Sequence, residues 1–409
     1  MKRVIFLVAL IAFGFSATAQ TMKVQSAYAD MKNNRLANAK KNIDAACENE
    51  STKNDPKTWH YAGLIYAKLV EVSKTDAKLF KKQKIETPVL VLAETSTQAI
   101  LKSIEMEKAA NTIEYVNANI NTLKYIVIFQ FDTAFKVFSD RKYQECIPML
   151  ENVVKISQIA GDKEIYMKSK ACLSLSYDAI GQKDKAVELY RNLVKEKTTE
   201  ESIYINLFIA NKKEKEIEKA TNVLKAGVKN IPSSYTLLGL LTGAYVEAGN
   251  IEEADKCIVT LKSIADTISQ NKSTILVIIA NSLRDANKID DAIAMYNQSL
   301  SIDPSQNEAL STQTNANFGL GALYFNMAVD QLDKAANLPV GEESDKEYNR
   351  LMEDSKVKFS QSIPYFEKVL AKKPNDIATL NQLKIIYSRL QMTEKYKEIS
   401  AKLESLRTK

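Results

Sequence analysis

An alanine returns every 34 residues in the middle of this chain, at Ala186, Ala220 and Ala254. Each sits in a similar local phrase: Gly181-Gln-Lys-Asp-Lys-Ala186-Val-Glu-Leu-Tyr190, Ile217-Glu-Lys-Ala220-Thr-Asn-Val-Leu224, and Gly249-Asn-Ile251-Glu-Glu-Ala254-Asp-Lys-Cys-Ile258. A unit this short cannot bury its own apolar face. It must stack on its neighbours, so the repeat predicts a solenoid that grows by adding units rather than cores. The units are helical. Leu173, Ser174 and Tyr177 share one helix face, Gly181 ends that helix, and Ala186, Tyr190 and Leu193 follow at i, i+4, i+7 on a second one. With 11 Gly and 8 Pro among 409 residues, the chain lacks the turn formers that a β-rich fold requires.

The same grammar runs along the chain. Trp59-x-x-Ala62-Gly63-x-x-Tyr66 opens one unit, and Ala292-x-x-x-Tyr296 leads through Ser299 to Pro304 in another. Ile363-Pro-Tyr-Phe366 leads to Pro374 in a third, with Ser362 where an alanine is usual. These phrases resemble the tetratricopeptide repeat family. The resemblance spans most of 22–409, as about eight or nine units, several of them degenerate. It implies an all-α, right-handed superhelical solenoid whose first helices line a concave groove where peptides dock. Two stretches break the period, near 68–90 and 326–356. They are expected either to lengthen the stack or to add to a binding face.

Residues 1–19 read as a secretory signal peptide: Lys2 and Arg3, an apolar run Val4–Phe15, then Ala17-Thr18-Ala19 before the expected cut at Gln20. No cysteine stands directly after the cut, so no lipid anchor is expected, and no later stretch is apolar enough for a transmembrane span. The expected location is the periplasm or the exterior, including the periphery of an outer-membrane complex.

The formal charge of +6 falls to about +4 without Lys2 and Arg3, and lysines alternate with glutamates along the helices. That pattern describes solvated faces and argues against nucleic acid as a partner. The densest basic run, 78–84, reads as a surface helix. Cys47, Cys146, Cys172 and Cys257 form no metal or redox pair by spacing; Cys146 and Cys172 fall on neighbouring helices and are the pair placed to bridge, the alternative being buried thiols. His60 is the single histidine and has no second ligand one turn away. No phosphate-cradling glycine loop occurs. No catalytic residue, cofactor or metal is therefore assigned.

Candidate binding residues are of two kinds. Phe131, Phe135 and Phe138, with Ile128, make an aromatic stripe at helical spacing that suits an apolar peptide or partner helix. Asn281 and Arg284 are polar groove-facing candidates. The expectation is a non-enzymatic protein–protein interaction scaffold in the cell envelope. One alternative is a peripheral part of an envelope assembly or secretion complex. Another, from a different class, is a hydrolase using two carboxylates.

Overall fold

The computed structural model describes residues 22–268, 271–303 and 309–407. The segment read as a signal peptide, 1–19, and Pro304 lie outside the described residues. Among the described residues every regular element is a helix. The chain divides into two compact units, Met1–Ile203 and Tyr204–Lys409, with the division inside one helix.

The first unit holds α1 (22–32), α2 (Leu36–Glu48), α3 (Pro56–Thr75), α4 (Ala77–Lys82), α5 (Val89–Ala110), α6 (Val116–Ser139), α7 (Tyr143–Ala160), α8 (Lys163–Ala179) and α9 (Lys183–Lys195). The division falls in α10 (Glu201–Lys213). The second unit continues through α11 (Ile217–Asn230), α12 (Tyr235–Glu247), α13 (Ile251–Thr267), α14 (Lys272–Asp285), α15 (Ile289–Leu300), α16 (Ala309–Ala336), α17 (Glu342–Lys372), α18 (Ile377–Arg389) and α19 (Thr393–Arg407). Within each unit the helices pack as consecutive antiparallel pairs, for example α3 with α5, α6 with α7, α12 with α13 and α14 with α15. First helices of successive pairs also touch: α3 with α6 and α6 with α8 in one unit, α12 with α14 and α14 with α16 in the other. This is a helix-pair solenoid in each unit.

One turn geometry explains the repeat length. Seven pairs close with a residue in the left-handed region, at Asn34, Arg141, Gly181, Lys215, Gly249, Asn287 and Gln391, with φ between 56° and 82°. The next residue's N–H reaches back over the helix end: Gln182 to Tyr177 O at 2.9 Å, Glu216 to Asn211 O at 2.9 Å, Asn250 to Tyr245 O at 2.8 Å. This link satisfies a carbonyl the helix end would leave bare. In six of the seven, five residues past the left-handed position comes the small residue of the second helix, Ala39, Cys146, Ala186, Ala220, Ala254 and Ala292, all buried; after Gln391 the place is taken by the half-buried Tyr396. The 34-residue alanine period is therefore the spacing of these turns, carried into the first buried contact after each.

The segment 68–90 packs onto the first unit. α3 runs on to Thr75, and α4 follows with Leu79 and Phe80 turned onto the core and Lys78, Lys81 and Lys82 in solvent. Gln83 then accepts a bond from Ala37 N at 3.1 Å and donates to Asn34 O at 3.3 Å, tying the segment to the start of α2. The segment 326–356 is the far end of a hairpin between two long helices, α16 of 28 residues and α17 of 31.

Candidate functional site

Three first helices of the first unit, α1, α3 and α6, enclose a groove of about 630 Å³. Each contributes residues one turn apart: Tyr28 and Met31 from α1, Leu64, Ala67 and Glu71 from α3, Thr122 and Tyr125 from α6. That spacing puts consecutive turns of each helix on one face. The walls are apolar and aromatic. Tyr28 stacks on Tyr61 with ring centroids 4.4 Å apart, which fixes its orientation. The rim carries charge. Lys32 lies 5.3 Å above the Tyr28 ring, and Lys68 pairs with Glu71 at 2.7 Å. Burial, with Glu71 nearby, holds the Tyr125 phenol above its ordinary pKa, so it stays a neutral hydroxyl.

Tyr125 also begins an exposed apolar line along α6. Tyr125, Ile128 and Phe135 are 41%, 43% and 45% exposed. Phe131 differs: at 9% exposure it is buried, its ring 5.7 Å from that of Phe135. Phe138 stacks on Phe135 at 6.0 Å and meets the edge of Tyr143 at 5.7 Å. The aromatic stripe is thus a continuous run of rings in which Phe135 offers the open face and Phe131 supports it. Lys74 lies 4.5 Å from the centre of the neighbouring Phe129 ring. The arrangement can hold an apolar segment flanked by charge. The groove lining contains no histidine or cysteine, and its carboxylate, Glu71, is occupied by Lys68.

Residues 273–306 match the tetratricopeptide repeat family, on the α14–α15 pair whose turn and packing recur along both units. The chain contains a tetratricopeptide repeat. No curated protein matches it. Among solved structures, the chain is similar to a human IFIT1 dimer with m7Gppp-AAAA, at 14% identity, covering 85% of this chain and 74% of that one with a TM-score of 0.38. A thermophilic TPR protein of Thermus thermophilus gives 16% identity, 47% and 98% coverage and a TM-score of 0.33. A TPR-repeats protein of Bacteroides fragilis gives 18%, 54% and 96%, and 0.25.

The matched repeat contains the other two candidates. Asn281 and Arg284, both on α14, converge on the tip of Tyr296 from α15. The Tyr296 hydroxyl donates to Asn281 Oδ1 at 2.5 Å, and Arg284 Nη1 lies 3.5 Å from it. Arg284 also pairs with Asp285 at 2.8 Å. Both side chains are half-buried and already engaged within their own repeat. The sequence-level assignment of these residues to an open groove missed that engagement, because nothing in the spacing shows how far a tyrosine on the second helix reaches.

Cys146 and Cys172 are buried free thiols rather than a bridge. The Cys146 thiol lies 3.3 Å from Ser176 Oγ and donates to Tyr143 O at 3.3 Å. Burial pushes the Cys172 thiol up to about 12, which keeps it protonated and unreactive. His60 is buried too. Its Nδ1 meets Asn119 Oδ1 at 2.8 Å, Asn119 Nδ2 donates to Ser103 Oγ at 3.0 Å, and its ring stacks on Tyr115 at 4.6 Å. Among the described residues no group of three or more His, Cys, Asp or Glu could hold a metal, and no helix is long and apolar enough to cross a membrane.

The groove residues Tyr28, Met31, Leu64 and Glu71 escaped the sequence reading. Their signal is present, as one-turn spacing on three first helices, but only stacking brings the three faces together.

Proposed function

We propose that this protein is a non-enzymatic interaction scaffold that holds a segment of a partner protein in the α1–α3–α6 groove. The observation that carries this reading is the groove itself. Open aromatic and aliphatic walls on three rigid helices sit within a charged rim, and Tyr125 continues into the exposed line to Phe135. An apolar helix or extended segment with charged flanks fits such a surface. Tyrosine suits it well: a large, stiff side chain that can bury its ring and keep its hydroxyl bonded. Phe135 and Ile128 would form the apolar continuation, with Phe131 and Phe138 holding Phe135 in place. Asn281 and Arg284 remain a second contact region, to the extent that a partner displaces the Tyr296 bond.

We place this activity in the cell envelope on the reading of 1–19 as a secretory signal, with the protein in the periplasm or outside the cell. A peripheral role in an outer-membrane assembly is the alternative within the same class. The test is co-purification from the native envelope fraction. Tyr125→Asp and Ile128→Asp each alter an exposed residue, so the fold is expected to survive, as checked by circular dichroism. Loss of one reproducible partner from both variants supports the groove. Retention of that partner by both would move the site elsewhere. Turnover of a substrate without any partner protein would favour an enzyme.

A further inference from the structure

A second cavity, of about 470 Å³, opens between the second helices α5 and α7 with α6 behind them. It lies apart from the α1–α3–α6 groove and shares no lining residue with it. Two facing helical stripes make its walls: Leu90 and Leu101 from α5, Met149 and Val153 from α7. Its volume falls in the range of small-ligand sites, roughly 300–1,000 Å³.

Gln130 of α6 lines this cavity and is 3% exposed. Its Nε2 donates to Thr97 Oγ1 at 3.4 Å, while its Oε1 has no hydrogen-bond partner. A buried carbonyl oxygen without a donor costs about 1–3 kcal/mol. That cost is recovered when a donor enters. One turn from Thr97 on the same face of α5 stands Glu94, exposed and the one charged side chain among the lining residues. Glu94 makes no ion pair among those of the described residues. The cavity thus combines apolar walls, a lining glutamine whose buried Oε1 lacks a donor, and a carboxylate one turn from Thr97.

We propose that this cavity binds a primary amine or guanidine on a short apolar stem. The cationic head pairs with Glu94 and gives one N–H to Gln130 Oε1, and the stem lies against Leu101 and Met149. A guanidinium serves both acceptors at once because its five N–H groups point in several directions. The head can come from a free small molecule or from an arginine or lysine side chain of a partner protein. The inference does not depend on the groove reading.

The test titrates agmatine into the purified chain. Binding is read from the side-chain amide signal of Gln130 by nuclear magnetic resonance and from the thermal midpoint. The proposal expects a saturable shift of the Gln130 amide and a raised midpoint. It expects at least a tenfold weaker affinity in Glu94→Gln, and no response to butane-1,4-diol. Gln130→Leu, which leaves Glu94 in place, should also bind at least tenfold more weakly. A parallel titration with acetyl-Gly-Arg-Gly-amide separates the two sources. Equal binding supports a protein side chain, and binding of agmatine alone supports a free ligand. No shift of the Gln130 signal at millimolar agmatine, or an affinity unchanged in Glu94→Gln, overturns the proposal.

Discussion

Tyr296 lays its ring directly against the backbone of Gly319. A Cβ added at residue 319 would stand 2.4 Å from Tyr296 Cζ and 2.6 Å from its hydroxyl. The glycine lets α16 approach α15 closely enough to cover a fully buried tyrosine, whose hydroxyl is in turn held by Asn281. Gly319→Ala must therefore displace the ring or part the helices. Overpacking of this kind costs about 1–3 kcal/mol. Urea unfolding followed by circular dichroism should show that loss.

The turns predict the opposite sign. Lys215 occupies the left-handed region at φ 62°, the same turn position that Gly181 and Gly249 fill with glycine. A side chain there costs about 1 kcal/mol that glycine avoids. Lys215→Gly should raise stability by about 1 kcal/mol, and Gly181→Ala should lower it by a similar amount. Chemical denaturation midpoints check both. Equal and negligible effects would detach the repeat length from this turn geometry.

Gln83 predicts a local effect. It joins the inserted segment to Asn34 and Ala37 through two bonds, while Leu79 and Phe80 supply the apolar contact. Gln83→Ala should leave the global unfolding midpoint nearly unchanged and speed proteolytic cleavage within residues 76–88. Mass spectrometry of a limited digest reads the cut sites.

His60 predicts a pH dependence. Burial holds its pKa below the ordinary 6.5, outweighing the bond to Asn119 and the nearby carboxylates Glu107 and Glu114, which act to raise it. The unfolded chain then binds a proton more readily than the folded one. Its contribution to stability is complete above about pH 6.5 and falls as pH drops from there toward the folded pKa. His60→Gln should flatten that part of the stability–pH curve. A thermal midpoint series from pH 7.5 to pH 5 measures it.

The repeat was legible in the sequence because two local requirements coincide: a left-handed turn residue and, five residues on, a small side chain at a close helix contact. Ala186, Ala220 and Ala254 report both. Where one residue type varied, the pattern blurred. Cys146 replaces the alanine and Arg141 replaces the glycine, yet both keep their places. The site was harder to read. Phe131, Phe135 and Phe138 share a helix, so their proximity followed from spacing, but their unequal burial depends on Tyr143 and the helices packed beside them. Asn281 and Arg284 are turned toward Tyr296, a residue on another helix. The groove draws on α1, α3 and α6, which only the stacking joins.

The most direct measurement places a photoreactive benzoylphenylalanine at Tyr125, at Phe135 and, as a control, at Val259, which is 67% exposed on α13. Each is irradiated in cells that produce the protein and the cross-linked proteins are identified. The account predicts the same partner at Tyr125 and Phe135, competed away by the unlabelled chain but not by its Ile128→Asp variant, and no such capture at Val259. Capture of that partner at Val259 with none at Tyr125 or Phe135 would contradict it.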